Sequence, residues 1–287
     1  MSTFRDRAFG ALQYALPKHL LSRLVYRLTR SETKWLRDRL IAAFLSGYPV
    51  DMDEAVHTNP SAYASFNAFF TRALKPSARP IAAEHDAFVS PVDGTVSQCG
   101  AIHDDRLFQA KGQNYSLADL LAGQDRARKY RGGSFVTIYL APYNYHRIHM
   151  PFDGAVRETI YVPGDLFSVN AATARTVPRL FARNERIVCD FEAARTHFAM
   201  VYVGALHVGS METTWCGEVN PPPRRKKQPV AIGTGLGATL AKGDEAGRFN
   251  MGSTVIVITP PDYVTWSAEL QPGAVVRMGQ RIGVVRT

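Results

Sequence analysis

The sequence predicts an α+β protein, with amphipathic helices at the N-terminus followed by a β-rich body that is barrel-like or sandwich-like. Apolar residues before residue 48 recur with the period of a helix, whereas beyond Pro49 short apolar runs alternate with Gly, Pro and Asn. The chain has 287 residues, of which 46% are hydrophobic and 21% charged, which is typical of a folded protein of one or two domains. We therefore expect a helical segment over residues 1–47 and a body over residues 48–287.

The helical segment contains a basic amphipathic helix that begins near Lys18, with Pro17 suited to its first turn. Its apolar stripe consists of Leu20, Leu21, Leu24, Val25 and Leu28, and basic residues lie off that stripe. A second helix is predicted from Trp35 through Phe44, ending near Gly47, because glycine is common at helix C-termini.

Charge is concentrated in this segment. The whole chain carries a net charge of +9, and its first 47 residues hold nine basic side chains against three acidic ones. Two interpretations stay open: the helices pack on the body with a solvated basic face, or their apolar face meets an anionic lipid surface. No apolar run approaches the ~18 residues of a membrane-spanning helix, and no signal-peptide pattern is present. Nucleic acid is not expected as a partner, because aromatic and basic residues do not alternate.

The body is predicted to contain strands over residues 134–141, 154–162, 186–190, 197–208, 253–259 and 280–285, with short helices over 65–73 and 117–121. The proline-rich and cation-rich run 221–229 is predicted to be an exposed loop, since proline cannot donate to a sheet and adjacent cations repel one another. Three scattered cysteines favour a reducing compartment over a disulfide framework.

Four places carry residues that can do chemistry: the turn PVDG with Asp93, the run YHRIH with His146 and His149, the turn PGDLFSVN with Asp165, and Gly252-Ser253. Asp93 and Asp165 are also typical turn carboxylates, and Asp165 could instead orient a substrate. The two histidines could face one pocket. We expect no metal site, because no adequate third ligand lies nearby and neither HExxH nor HxH occurs.

The Gly252-Ser253 pair has the local chemistry for an internal acyl shift. Glycine has no Cβ, so its carbonyl is open to attack by the hydroxyl of the next residue. That hydroxyl needs a base, and a histidine held by an aspartate is the usual means of activating it. Asp93, His149 and Ser253 could supply this set.

These motifs together resemble the phosphatidylserine decarboxylase family, in its pyruvoyl-dependent, bacterial membrane-associated type. The resemblance covers nearly the whole chain, in the segments FNAFFTRALKPSARPI, SPVDGTV, YLAPYNYHRIHMPFDG, YVPGDLFSVN, LFARNERIV, VGALHVGSMETTW and KGDEAGRFNMGSTVIV. Several long motifs in the right order are far more specific than any single triplet. The chain reads MGST where many relatives have LGST, a difference that affects packing more than chemistry.

The resemblance implies a proenzyme that cuts itself between Gly252 and Ser253 and converts Ser253 into a pyruvoyl group. The products would be a β chain of residues 1–252 and an α chain of residues 253–287, which stay associated. The family's processing triad maps onto Asp93, His149 and Ser253, and His146 matches a histidine associated with substrate positioning and decarboxylation. Neither a metal nor pyridoxal phosphate is implied.

The implied reaction is decarboxylation of phosphatidylserine to phosphatidylethanolamine and carbon dioxide, a step of membrane phospholipid biosynthesis. The pyruvoyl carbonyl would condense with the substrate amine and accept the electrons left by carbon dioxide. The implied location is peripheral, on the cytoplasmic side of the inner membrane, with an anionic membrane as partner. A homodimer of αβ units is one assembly compatible with the sequence.

Three other interpretations stay in view. ELQPGAVVRMGQRIGVV and PVDGTV resemble the hammerhead strands of biotinyl or lipoyl carriers, although a carrier needs an exposed lysine in a hairpin turn. Similar strands occur in zinc peptidases, which require an HxxxD and an HxH set, and GALHVGS offers only His207. An uncleaved, lipid-binding relative is the third interpretation, and the intact MGST motif disfavours it.

Overall fold

The computed structural model describes residues 3–110, 113–194, 196–206, 210–219, 228–234 and 237–286. Most of the loop predicted over 221–229 and His207 lie outside the described residues. The statements about structure that follow concern the described part of the chain.

Three helices precede the body: α1 (Phe4–Ala15), α2 (Lys18–Thr29) and α3 (Lys34–Gly47). The two predicted helices are confirmed as α2 and α3. The sequence analysis missed α1, which begins with a capping box between Thr3 and Asp6. Asp6 also binds Arg175 of the body at 2.9 Å, which attaches α1. The division into two domains at residue 47 stays a prediction.

Helix α2 leaves three leucines of its apolar stripe exposed to solvent. The exposed fractions of Leu20, Leu24 and Leu28 are 57%, 49% and 49%. The buried residues of this helix are instead polar, namely Lys18, Ser22 and Thr29. A helix that packed its stripe on the body would show the opposite pattern, so these three leucines are available for another apolar phase.

Five short helices lie within the body: α4 (Phe66–Phe70), α5 (Leu117–Leu121), α6 (Gln124–Arg128), α7 (Ala171–Thr176) and α8 (Leu180–Arg183). The residues 60–62 and 76–78 form single 3₁₀ turns. The helices predicted over 65–73 and 117–121 are confirmed as α4 and α5. The sequence analysis missed α6, α7 and α8, because they have only four to six residues and leave no periodic signal.

Eighteen strands are found in the described residues: β1 (Ala87–Val89), β2 (Gly94–Ala101), β3 (Arg106–Ala110), β4 (Gln113–Ser116), β5 (Ser134–Tyr139), β6 (Arg147–His149), β7 (Gly154–Val162), β8 (Arg186–Ala193), β9 (Thr196–Val203), β10 (Met211–Thr213), β11 (Gly217–Glu218), β12 (Val230–Thr234), β13 (Thr239–Leu240), β14 (Glu245–Phe249), β15 (Thr254–Thr259), β16 (Val264–Trp266), β17 (Val275–Val276) and β18 (Arg281–Val285). All six predicted strands are present, with ends shifted by a few residues.

The strands form four antiparallel sheets. The largest has nine strands in the order β12-β7-β8-β9-β15-β5-β2-β17, with β13 also on β7. The others are β11-β10-β14-β6, β1-β18-β16 and the hairpin β3-β4. The α+β class is confirmed, whereas a barrel is not, because the largest sheet is open at β12 and β17 within the described residues. The two hammerhead-like segments do lie together, since β17 pairs with β2 and β18 pairs with β1.

Strand β15 lies in the interior of the largest sheet, between β9 and β5, and all six of its residues are buried. A separate small apolar cluster joins α3 to α4 through Ile41, Phe66 and Phe70. Met251 packs against both this cluster and the main core. The segment just before β15 is therefore held between the sheet and the N-terminal helices.

Candidate active site

Ser253 is completely buried and immediately precedes β15. Its carbonyl accepts a hydrogen bond from the amide of Leu140 at 2.9 Å, which fixes the backbone at this point. The Ser253 hydroxyl, by contrast, has no hydrogen-bond partner among the described residues. Leaving a buried hydroxyl unpaired costs free energy, so such a group in a native structure needs an explanation, and a chemical role is one.

His146 lies against Gly252, on the other side of the bond to Ser253. A Cβ added at Gly252 would lie 3.3 Å from Nε2 of His146, which is tighter than most side-chain contacts. Nδ1 of His146 lies 2.8 Å from the carbonyl oxygen of Asn144. Because a carbonyl can only accept, Nδ1 carries the proton and Nε2 keeps its lone pair. That Nε2 is buried, and no described residue forms a hydrogen bond with it.

The environment of His146 keeps its imidazole neutral. Burial lowers the pKa of His146 from its usual value of 6.5 to about 3, while the Asn144 carbonyl raises it and the charge of Arg72 lowers it further. The ring packs on Phe70, with 4.1 Å between the ring centroids. A neutral imidazole with an open Nε2 can accept a proton beside Gly252.

His149 is also buried but is held by other partners. Its Nδ1 lies 2.7 Å from the carbonyl oxygen of Gly243, so Nδ1 donates and Nε2 is the basic nitrogen. The hydroxyl of Tyr145 lies 3.1 Å from that Nε2. Burial lowers the pKa of His149, and the nearby carboxylates of Glu245 and Asp93 raise it.

Asp93 is bound mainly by Arg79. The Nε of Arg79 lies 2.9 Å and 3.0 Å from the two carboxylate oxygens, and Nη2 lies 2.6 Å from Oδ2. The amide of Met278 donates a further hydrogen bond at 2.8 Å. Arg79 in turn contacts Glu54 at 2.9 Å, and its two carboxylate partners raise the pKa of this guanidinium against the effect of burial.

The predicted site residues therefore form two neighbouring groups. His146 is adjacent to Gly252 and Ser253, whereas Asp93 and His149 lie at the turn where the amide of His149 donates to Pro91 O at 2.8 Å. Asp93 acts on His149 as a nearby charge, and no hydrogen bond between the two is found in the described residues. The predicted triad is not assembled by direct hydrogen bonds in this state.

A cavity of about 500 Å³ opens next to Gly252. Its wall is mostly apolar and includes two side chains from the end of the helical segment, Phe44 and Tyr48, as well as Phe70. Ser168 and Asn170 add polar groups. This cavity can take a ligand that is apolar over most of its surface and polar at one end.

Asp165 forms a pair with Arg183 at 3.4 Å, and its backbone bridges to Asn184. These contacts favour the interpretation of Asp165 as a turn carboxylate over the one in which it orients a substrate.

Among the described residues no group of three His, Cys, Asp or Glu side chains could hold a metal ion. The sequence analysis did not identify Tyr145 and Arg79 as site residues. Their roles depend on contacts with His149 and Asp93, and the local sequence around each residue does not indicate these contacts.

Comparison with known proteins gives a consistent result. The family model described as phosphatidylserine decarboxylase matches residues 66–284, and a second model, described as PSD, matches residues 8–49. The first match covers most of the chain, including all six candidate site residues of the sequence analysis.

Individual relatives are similar in sequence to this chain over almost its full length. The phosphatidylserine decarboxylase proenzyme of Nitrosococcus oceani is 50% identical over 284 residues, covering 99% of this chain and 93% of the relative. That of Ectopseudomonas mendocina is 51% identical over 281 residues, covering 97% and 98%. That of Pseudomonas aeruginosa strain LESB58 is 50% identical over 280 residues, covering 97% of each chain.

Proposed function

This chain belongs to the phosphatidylserine decarboxylase family of enzymes, and we propose that it decarboxylates phosphatidylserine to phosphatidylethanolamine after cutting itself between Gly252 and Ser253. The relatives are named as proenzymes, which supports maturation by cleavage. One observation carries the proposal: within the described part of the chain, the buried Ser253 hydroxyl and the buried Nε2 of His146 both lack partners, and they flank the same peptide bond.

Cleavage begins when Oγ of Ser253 attacks the carbonyl carbon of Gly252. The C–N bond breaks, an ester forms, and the hydroxyl proton moves to the released amine. Loss of the Ser253 α-proton then breaks the Cβ–Oγ bond, and residues 1–252 leave as a carboxylate. Water converts the remaining dehydroalanine into a pyruvoyl group and ammonia.

His149 is the proposed base for this step, and Asp93 its supporting charge. Burial lowers the pKa of His149, which keeps the imidazole neutral and able to accept a proton. The carbonyl of Gly243 holds Nδ1–H, so the proton must go to Nε2. This step requires Nε2 to exchange the hydroxyl of Tyr145 for that of Ser253. The carboxylate of Asp93 then stabilises the imidazolium.

The residues around position 253 fit a pyruvoyl group. Residue 253 is buried, and the cavity beside Gly252 gives a substrate access. When present, the group supplies a carbonyl that condenses with an amine and an electron sink for the pair released with carbon dioxide. His146 is placed to deliver, from Nε2, the proton that the substrate α-carbon takes up after carbon dioxide leaves. Its low pKa makes the imidazolium a strong donor.

We further propose that the protein lies on the cytoplasmic face of an inner membrane as a peripheral protein. Support comes from α2, whose exposed leucines adjoin basic residues that attract anionic lipid. No helix within the described residues has the length and apolar character needed to cross a bilayer. Phe44 and Tyr48 connect this helical segment to the cavity, which offers a lipid a short path to Gly252.

The β and α chains are proposed to stay together after the cut. Strand β15 lies in the α chain and pairs on both sides with strands of the β chain, β5 and β9. Removing it would expose six buried residues. A homodimer of αβ units stays a prediction.

Intact mass spectrometry of freshly purified protein tests the proposal. We expect two chains from the wild type, with a carbonyl-reactive small chain, and one full-length chain from Ser253→Ala. Ser46→Ala, which changes an exposed serine on α3, is the control and should cleave. The cleaved enzyme should release carbon dioxide from vesicles containing phosphatidylserine. A wild type that keeps its full-length mass and releases no carbon dioxide would be an uncleaved relative and would contradict the proposal.

A further inference from the structure

Arg72 is a buried arginine without a carboxylate partner. Its exposed fraction is 5%, and its Nε has no hydrogen-bond partner in the described ranges. The contact from Nη2 to the carbonyl oxygen of Tyr143 is long, at 3.5 Å. Within the part of the chain that the structure describes, no ion pair involves Arg72, whereas the nearby Arg147 is bound to Glu245 at 2.7 Å. A buried charge is normally paired, because desolvating it is costly.

The surrounding charges do not compensate Arg72. Its nearest acidic influences are Asp93 and Glu54, but both are bound by Arg79 at 2.6 Å and 2.9 Å. Arg277 also approaches Glu54, at 3.8 Å. Arg79 thus binds both carboxylates, and this leaves the buried guanidinium of Arg72 without a carboxylate of its own.

This charge lies at the edge of the candidate active site. Arg72 follows Phe70 by two residues, and the ring of Phe70 packs on His146 and lines the cavity. The carbonyl that Arg72 contacts belongs to Tyr143, next to Asn144, which holds Nδ1 of His146. The guanidinium is close enough for its charge to lower the pKa of His146.

We propose that Arg72 binds the phosphodiester group of the lipid substrate. The inference rests on the proposed function and adds to it the residue that recognises the headgroup. A guanidinium matches the geometry and charge of a phosphate oxygen pair. The phosphodiester keeps its charge throughout the reaction, whereas the substrate carboxylate loses its charge as carbon dioxide forms. A cation on the carboxylate would stabilise the ground state more than the transition state and slow the reaction.

The test uses cleaved enzyme and a soluble short-chain substrate, dihexanoyl phosphatidylserine, so that KM does not report membrane binding. We expect Arg72→Met to raise KM about ten- to a hundredfold, which corresponds to losing a hydrogen bond to a charged group, with a smaller change in kcat. Arg72→Lys should restore part of the loss. Arg128→Met is the control, because Arg128 is exposed and pairs only with the exposed Asp125. An unchanged KM in both Arg72 variants would overturn the inference.

Two competitive probes separate the phosphodiester from the carboxylate. sn-Glycero-3-phosphocholine has a phosphodiester but no carboxylate and no primary amine, whereas N-acetylserine has a carboxylate and no phosphate. We expect the first probe to inhibit the wild type and to lose its effect with Arg72→Met. Selective loss of inhibition by N-acetylserine would assign Arg72 to the carboxylate and contradict the proposal.

Thermal unfolding distinguishes binding from a structural role. Without substrate, Arg72→Met should unfold at an unchanged or higher temperature, because the variant removes an unpaired buried charge. A lower unfolding temperature with normal KM would show that Arg72 is structural. If Arg72→Met does not cleave itself, Arg72→Lys carries the kinetic test. Wild-type protein that neither cleaves nor releases carbon dioxide would defeat the proposed function itself, before any variant is compared.

Discussion

The open Nε2 of His146 faces the α-carbon of Gly252, 3.3 Å from the position that a Cβ would occupy there. Cleavage and decarboxylation are therefore proposed to occur at one place, with the same imidazole next to the bond before the cut and next to the substrate after it. The contact also explains why residue 252 must be small, and it leads to the first prediction.

Gly252→Ala should slow self-cleavage by about fivefold or more, because overpacking a buried contact costs about 1–3 kcal/mol. The measurement is the half-time for conversion of full-length chain into two chains, followed by gel electrophoresis. Gly47→Ala is the matched control, since nothing lies within 4 Å of a Cβ at that glycine. Equal half-times for Gly252→Ala and wild type would contradict the close contact.

His146 should make the protein less stable at acid pH. Because burial lowers its pKa from 6.5 to about 3, the unfolded chain binds a proton below pH 6.5 that the folded chain does not bind. The free energy of unfolding then falls by about 1.4 kcal/mol for each pH unit between 6.5 and 3. The full stability is present above pH 6.5.

Urea unfolding in the uncleaved Ser253→Ala background measures this effect. Between pH 6.5 and pH 5 the parent should lose about 2 kcal/mol more than the variant that also carries His146→Gln. His103→Gln, at an exposed histidine, should behave as the parent does. Identical pH profiles for His146→Gln and its parent would mean that the imidazole is not kept neutral.

The pair of Arg79 and Asp93 should be strongly coupled. Arg79→Met leaves the buried carboxylate of Asp93 without its cation and removes the closer cation of the partly exposed Glu54, and we expect a loss of about 3–5 kcal/mol in the free energy of unfolding. Adding Asp93→Asn to Arg79→Met should cost less than the sum of the single changes, as a double-mutant cycle would show. The exposed pair of Arg128 and Asp125 is the control and should show little coupling. Additive effects at Arg79 and Asp93 would refute the pairing.

Replacing Leu20, Leu24 and Leu28 together by Gln should weaken binding to vesicles of anionic lipid. Each half-exposed leucine gains about 1 kcal/mol on entering an apolar phase, so binding should fall about a hundredfold. The unfolding temperature should change little, because about half of each side chain is exposed to solvent. Vesicle sedimentation gives the binding constant. Val275→Gln is the control at an exposed valine outside the helical segment, and a comparable loss with that variant would argue against a specific face.

The sequence was sufficient to predict the elements with strong local signals. The boundaries of β7 and α5 were predicted to the residue, because alternation and turn residues define them. The sequence could not predict which face of α2 is exposed, since the pattern of apolar residues is the same whether the leucines face the body or another apolar phase. The open form of the large sheet depends on which strands pair at its two ends, and such long-range pairing leaves no periodicity in the chain.

The candidate site was predictable as a set of residues but not as a network. Asp93, His146, His149 and Ser253 were all identified, partly through the family resemblance. Their hydrogen bonds were not, because the partner of Asp93 follows a separate turn at Arg79 and the partner of His149 Nδ1 is a backbone carbonyl at Gly243. Backbone acceptors have no sequence signature, so their contribution becomes visible only in the folded chain.

The interior position of β15 has a consequence for biogenesis. Ser253 meets its surroundings only when β15 has been inserted between β5 and β9, so an incompletely assembled precursor holds its hydroxyl away from every group that could activate it. Self-cleavage would then occur only in correctly folded molecules. Defective copies would stay inert and never acquire a reactive carbonyl that could modify amines elsewhere in the cell.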